Sequence, residues 1–236
     1  MQLFLHNGLE ATDKELVFDS EESKHLIKVL RHKAGDKINI ANSRGLLATA
    51  IITQASPKAC IVRIEDAVQH PAPINNIQIA IAPTKQMERL EWFVEKATEM
   101  GVSRISPIIC DHSERKALRI DRLEKRRDAA VKQSLSLYGV LIDPERTFND
   151  FLNQDFSDTD CYIAHCNDNL TEHLIKVQAK HKKAVVMIGP EGDFSPEEVN
   201  RALDQGFKPV SLGEQRLRTE TAGIAAVQIL SLKAII

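Results

Sequence analysis

Two short polar runs near the end of the chain hold the residue types that catalysis and ligand binding need. The first is Ile188-Gly189-Pro190-Glu191-Gly192, and the second is Leu217-Arg218-Thr219-Glu220-Thr221. An arginine such as Arg218 can stabilise charge developing on an oxygen, and a carboxylate such as Glu220 can accept a proton. Glu220 has a second reading, since an anion near the start of a helix contributes roughly 0.3–1 kcal/mol without any chemistry. Gly189 and Gly192 allow a ligand to come close to the main chain. Ordinary turns of an α/β protein would explain either run alone. They explain the pair less well, because the second run sets an Arg, two Thr and a Glu directly before a wholly apolar helix. His165 ends another apolar run and can be read as a general base or as a loop histidine without chemistry.

The elements around these runs say how they are held. Residues 184–188 are a short apolar run bounded by turn residues, the pattern of a buried strand. After the glycines, Ser195 fits an N-cap, Pro196 the first helical position and Glu198 the partner of a capping box. Phe194 and Val199 are spaced for a hydrophobic staple across that cap. The helix should end near Gly206, with residues 209–213 as the next strand, so that Ser211, Leu212 and Gly213 reach the same edge. Residues 222–236 form a last helix, apolar nearly all round and therefore expected to be buried. Both polar runs then lie at strand ends, where open α/β sheets bind ligands.

The same plan appears earlier. Residues 77–82 read as a strand, Pro83-Thr84-Lys85 as a loop, and 86–100 as a helix with Leu90, Phe93, Val94 and Ala97 on its buried stripe. Gly101 is a natural stop, Trp92 lies off the stripe, and 105–110 is another strand. Further on, 144–159 reads as a polar connector with one helical turn, 161–164 as a strand and 171–182 as a helix. The pattern as a whole is α/β with a mainly parallel sheet.

Residues 1–70 read as a separate β-rich domain, with 71–236 as the larger one and a Pro-containing linker at 66–76. Strands are expected at 3–5, 37–40, 48–52 and 59–64. One helix fits 20–33, with Ser20 as its cap and Leu26, Ile27 and Leu30 as its stripe. Its outer side carries Lys24, His25, Lys28, Arg31, His32 and Lys33, which is either a solvated face or a phosphate-binding one. A second charged stretch, 112–132, holds Arg115, Lys116, Arg119, Arg122, Lys125, Arg126, Arg127 and Lys132 against fewer acids. A solvated helix face is the usual explanation of such a stretch; RNA contact is preferred here because the surplus sits next to the proposed site.

The chain has 236 residues, 43% hydrophobic and 27% charged, as in globular proteins. Its net charge of −2 means that any RNA contact must come from a local basic surface. The four cysteines are scattered, with no Cys/His cluster, so reduced thiols and no metal site are expected. No apolar run reaches bilayer length, and a cytoplasmic location is the expectation. No G-x-G-x-x-G follows a strand, which argues against a Rossmann or class I methyltransferase site.

Residues 188–192 followed by Leu217-Arg218-Thr219-Glu220-Thr221-Ala222 resemble the family of 16S rRNA uridine-N3 methyltransferases, part of the SPOUT superfamily. The resemblance implies a C-terminal trefoil-knotted domain that binds S-adenosylmethionine and a smaller N-terminal PUA-like, β-barrel-like RNA-binding domain. It implies cofactor contacts from Ile188, Gly189, Pro190, Glu191, Gly192, Ser211, Leu212, Gly213, Leu217, Arg218, Thr219 and Thr221. Arg218 and Glu220 are the catalytic candidates. RNA contacts are expected from Lys24, His25, Lys28 and Arg31 and from Lys85, Arg89, Arg115 and Arg119. A homodimer through the C-terminal domain and a target uridine in the decoding region of the small subunit are also implied.

Two departures stand out. Residues 1–5 lack the Arg that many relatives carry near the start. Where relatives have a Glu-Gln-Ser-type element with a nearby Arg, this chain has Lys132-Gln133-Ser134 and Tyr138; Gln133 and Ser134 can still face the site. Two other functions remain open, a non-catalytic RNA-binding or ribosome-assembly protein and another RNA-modifying α/β enzyme.

Overall fold

The computed structural model describes residues 2–74, 76–166 and 172–233. Packing separates two units, Met1–Ala72 with Val131–Gly139, and Pro73–Ala130 with Val140–Ile236.

The first unit is a five-stranded sheet with its own apolar core. Its elements are β1 (Leu3–Leu5), β2 (Glu15–Val17), α1 (Ser20–Lys24), β3 (Lys37–Ala41), β4 (Leu46–Gln54) and β5 (Ile61–Gln69). They lie in the order β1-β3-β4-β5-β2, with only β1 and β3 parallel. Leu46, Ala48, Ala50 and Ile52 of β4 alternate inward, as the two-residue period of a strand requires.

The helix expected over 20–33 is shorter and differently capped. Asp19, not Ser20, is the cap: its carboxylate accepts from the Glu22 N–H at 2.8 Å. A π-type turn over His25–Val29 follows, and Arg31 ends the segment at φ 60°. Such wide turns are short interruptions that apolar periodicity does not reveal. Residues 131–139 join this unit through the Tyr138 hydroxyl, which donates to His70 O at 2.9 Å, and the Gly45 N–H, which donates to Leu137 O at 2.9 Å.

The second unit begins with β6 (Asn76–Ile81), α2 (Met87–Glu99), β7 (Arg104–Ile109) and α3 (Ile120–Ser134), whose last turn packs with the first unit. It continues with β8 (Leu141–Ile142), β9 (Arg146–Thr147), α4 (Phe148–Leu152), β10 (Thr159–Ala164), β11 (Lys183–Ile188), α5 (Pro196–Asp204), β12 (Lys208–Val210) and α6 (Thr219–Lys233). The strands form a seven-stranded sheet in the order β12-β10-β11-β6-β7-β8, with β9 also on β7. Every pairing is parallel, as the alternating strand and helix pattern predicts.

The pleat sorts the core into two layers. Ile77, Ile79 and Ile81 of β6 and Val186 and Ile188 of β11 pack with α2, α3 and α6. Ala80, Val185 and Met187 face the other way, against α4 and α5. The chain runs outward from β6 through β7 to β8, then returns to place β11 on the other side of β6. The carboxyl ends of β6 and β11 therefore form a switch point, the place where such sheets bind ligands.

Three expectations change in this unit. Residues 172–182 form turns and a bridge between His173 and Ser211, not a helix; Thr171 and the loop at 167–168 lie outside the described residues. The 144–159 connector is not merely polar, because Phe148, Phe151 and Leu152 are buried. The last helix starts at Thr219, so Thr219, Glu220 and Thr221 belong to its first turn. Nor is it buried all round: Leu232 is 42% exposed, and residues 234–236 are outside the described set.

A polar cluster joins β7 to the residue after β8 at the edge of the sheet. The Arg104 guanidinium donates to both oxygens of Asp143 at 2.8 and 2.7 Å, and the Ser106 hydroxyl donates to one of them at 2.6 Å. Burial pushes the Asp143 pKa up, but these donors outweigh it and hold the carboxyl below its ordinary value. A depressed folded-state pKa contributes stability that is complete above the unfolded value, about 3.9, and lost as pH falls through the folded one. Asp143→Asn should therefore destabilise the protein by about 1.5–3 kcal/mol at pH 7. Urea titrations should show the gap between variant and wild type narrowing below about pH 4.

Candidate functional site

The two polar runs meet at the switch point. The Thr219 hydroxyl, on the first residue of α6, donates to Gly189 O at 3.0 Å and is buried. The N-terminus of α6 is thereby fixed against the loop that leaves β11. Main-chain N–H groups of a helix's first turn have no partner within the helix, so this end can serve a ligand. Ser211 and Leu212 are half-buried after β12, and the Ser211 hydroxyl accepts from the Gly213 N–H at 3.1 Å.

The loop of residues 189–194 is built by local chemistry. The Asp193 N–H donates to Pro190 O at 2.9 Å and closes a turn, with Asp193 at φ 63°. The Asp193 carboxylate accepts from the Phe194 N–H at 2.8 Å and the Cys166 N–H at 2.7 Å. The capping box of α5 forms in both directions, Ser195 N to Glu198 at 2.9 Å and Glu198 N to Ser195 at 3.2 Å. The Ser195 hydroxyl also donates to Asp111 at 2.7 Å. Glu191 is exposed, and its carboxylate accepts from the Lys85 N–H at 3.0 Å.

The glycines owe their place partly to protein neighbours. A Cβ on Gly189 would lie 3.1 Å from the Phe194 ring, and one on Gly192 would lie 3.2 Å from His112 Cβ. Neither is at positive φ, so close approach and not torsion selects glycine here.

Glu220 is 7% exposed. Its Oε1 is 3.9 Å from Arg89 Nε, while its Oε2 is buried with no hydrogen-bond partner. An unsatisfied buried carboxylate oxygen is costly, which makes this the strongest sign of a missing donor in the site. Arg218 is exposed and has no ion pair within 4 Å among the described residues. His165 is half-buried at the end of β10; burial lowers its pKa, opposed by the charge of Asp193.

The expected RNA-contact residues divide between the two units. On the first, Lys24, Lys28 and Arg31 are exposed, and His25 is 3.6 Å from Glu22. On the second, the cations already have partners. Lys85 pairs with Glu114 at 2.9 Å, Arg119 pairs with Asp121 at 2.9 Å, and Arg115 donates to the Lys85 carbonyl at 2.9 Å. Most of the basic surplus of residues 112–132 is likewise engaged. Arg122 and Arg126 pair with the buried Glu91 of α2 at 2.6 and 3.3 Å, and Arg127 pairs with Asp128 at 2.8 Å. A buried carboxylate requires such partners, so this stretch joins α3 to α2 more than it presents free charge. Lys132 pairs with Glu22 at 2.7 Å, and Gln133 and Ser134 lie in the segment that packs with the first unit.

Sequence reasoning missed His112, Asp111 and the Arg89–Glu220 pairing. Each depends on contacts between distant chain segments that no local pattern announces. Among the described residues no group of three or more His, Cys, Asp or Glu side chains could hold a metal ion. No helix there is long and apolar enough to cross a membrane.

Comparison with known proteins agrees with this layout. The RNA methyltransferase domain matches residues 70–231, and the RNA methyltransferase PUA domain matches residues 18–65. Ribosomal RNA small subunit methyltransferase E 2 of Borreliella burgdorferi is 30% identical over 236 residues, covering 94% of this chain and 92% of that protein. A probable rRNA-methyltransferase from Porphyromonas gingivalis has a crystal structure that superposes with a TM-score of 0.89 at 37% identity, covering 100% of this chain and 99% of that one. Ribosomal RNA small subunit methyltransferase E from Neisseria gonorrhoeae, solved bound to S-adenosyl methionine, superposes with a TM-score of 0.87 at 25% identity, covering 96% and 95%. The chain belongs to the RNA methyltransferase family, in the branch of ribosomal RNA small subunit methyltransferase E.

Proposed function

We propose that this protein methylates N3 of a uridine in the decoding region of 16S rRNA, within the small ribosomal subunit, using S-adenosylmethionine. The observation that carries the reading is the Thr219–Gly189 hydrogen bond, which brings both motifs to the switch point of a parallel sheet. The neisserial relative, bound to S-adenosyl methionine and named for the small-subunit RNA, supports the choice of donor and substrate.

The residues present fit that donor. Its amine and hydroxyl groups can satisfy a buried acceptor such as Glu220 Oε2, and its carboxylate suits a helix N-terminus such as that of α6. Ile188, Gly189, Pro190, Glu191, Gly192, Ser211, Leu212, Gly213, Leu217, Thr219 and Thr221 would hold it. When bound it supplies an electrophilic methyl group on sulfonium.

The chain's own residues handle the uracil. Its N3 carries a proton and is a poor nucleophile until that proton leaves. Glu220, or a water it holds, takes the proton, and Arg218 stabilises the charge that develops on a base oxygen. Lys24, Lys28 and Arg31 bind phosphates of the RNA, with Lys85, Arg89, Arg115 and Arg119 as further contacts. A cytoplasmic homodimer through the second unit belongs to the same reading. Leu232 on α6 and Trp92 on α2, 42% and 45% exposed, are apolar surface of that unit that such a dimer would cover.

Calorimetry tests the reading. S-adenosylmethionine should bind saturably, and a well-folded protein with no measurable binding rules the proposal out. The Lys28→Gln/Arg31→Gln double variant should bind the RNA more weakly and lower the slope of log affinity against log salt by roughly 1.5, about 0.7–0.9 for each phosphate no longer neutralised. Donor affinity should not change. An unaltered slope would show this surface to be only solvated.

A further inference from the structure

The loop of residues 189–194 is held from outside by a residue that neither motif contains. His112 follows β7, and its Nδ1 lies 3.1 Å from Gly192 O and 3.0 Å from Asp193 O. Carbonyl oxygens only accept hydrogen bonds, so Nδ1 must carry the proton and one N–H bridges two successive carbonyls. The clamp survives in either charge state of the ring, since Nδ1 keeps its proton in both. Gly192 completes the arrangement, because any Cβ there would stand 3.2 Å from His112 Cβ. The neighbouring Asp111 accepts from the hydroxyl of Ser195, the residue that follows the loop and caps α5. Residues 111–112 therefore hold the C-terminal side of the turn that follows Pro190 and the cap of α5 next to it.

We propose that His112 is a positioning residue for the methyl-donor loop, presetting the main chain of residues 189–193 in its binding conformation. The inference rests on the reading that this loop holds S-adenosylmethionine. A loop already ordered before the ligand arrives loses less conformational freedom on binding, and affinity rises accordingly. His112 is exposed and makes no contribution to the apolar core, so its effect should be confined to the loop.

Three variants separate the donor from the bulk of the ring. In His112→Asn the side-chain amide nitrogen can occupy the place of Nδ1 and still donate. His112→Ala removes the donor, and His112→Asp sets a carboxylate against two carbonyls. Calorimetry with S-adenosylmethionine should give a dissociation constant within about threefold of wild type for Asn, about tenfold higher for Ala and higher still for Asp, the scale of one lost hydrogen bond. In methylation assays KM for the donor should rise in the same order, while KM for small subunits stays level. Thermal midpoints should differ little. If wild type binds the donor and His112→Ala binds it equally well, the role is overturned. Equal weakening in Asn and Ala, or a loss that tracks the thermal midpoint, overturns it too. If wild type itself does not bind, the donor reading of the loop fails instead.

Discussion

Arg218→Ala is expected to slow single-turnover methyl transfer by about a hundred- to a thousandfold at saturating donor, the usual loss when one charge-stabilising group is removed. Donor affinity should stay nearly unchanged, because a group that acts on the transition state affects turnover and not ground-state binding. The structure gives Arg218 the freedom this role needs. It is exposed and without an ion pair among the described residues, whereas Arg115 and Arg119 are tied to nearby acceptors. Its backbone is nevertheless fixed, since Thr219 beside it is anchored to Gly189. Arg218→Lys should recover only part of the rate, because a planar fork meets a base edge in ways an ammonium cannot. If Arg218→Ala instead raised the donor dissociation constant with turnover intact, Arg218 would be a donor-binding group. Glu220 and the loop main chain would then be left as the catalytic candidates.

Gly223→Val should cost about 3 kcal/mol, near the upper end for overpacking a filled core. A Cβ at 223 would stand 2.5 and 2.9 Å from two carbons of the Phe93 ring and 3.2 Å from Ile81 Cδ1. Phe93 and Ile81 are fully buried, so neither has room to yield. Glycine in a helix ordinarily loses about 1 kcal/mol to alanine; here that loss is offset by the close approach of α6 to α2 and β6. The urea midpoint should fall while the slope of the transition stays the same. A variant as stable as wild type would mean that the two helices can move apart freely. Because α6 begins at Thr219 and Glu220, any such shift should also disturb the site.

The sequence announces what local chemistry controls. The capping box at Ser195 and Glu198, the Gly101 stop and the buried stripe of α2 all follow from residue types at short spacing. The parallel sheet follows from repeated alternation of strand and helix. Competing local signals are decided by packing. Asp19 and Ser20 are both good caps, and the geometry of Glu22 selects Asp19. Residues 172–182 have helical composition, yet the segment is drawn into a bridge at Ser211 and takes up turns. In the site, the motif loops are visible as sequence, but their contacts with Lys85, His112 and Arg89 join segments far apart in the chain. The glycines show the same limit. They mark close approach correctly, yet the approaching groups include Phe194 and His112, so Gly189→Val would strain the protein as well as the ligand site.

The most direct test of the central claim is transfer of a labelled methyl group from S-adenosylmethionine to small subunits from cells that lack this protein, followed by mass mapping of the 16S rRNA. One methyl group should appear on a single uridine of the decoding region, at N3, and Arg218→Ala should strongly delay it. No transfer by a protein that binds the donor, or a methyl group on another base or another position of uracil, would contradict the account.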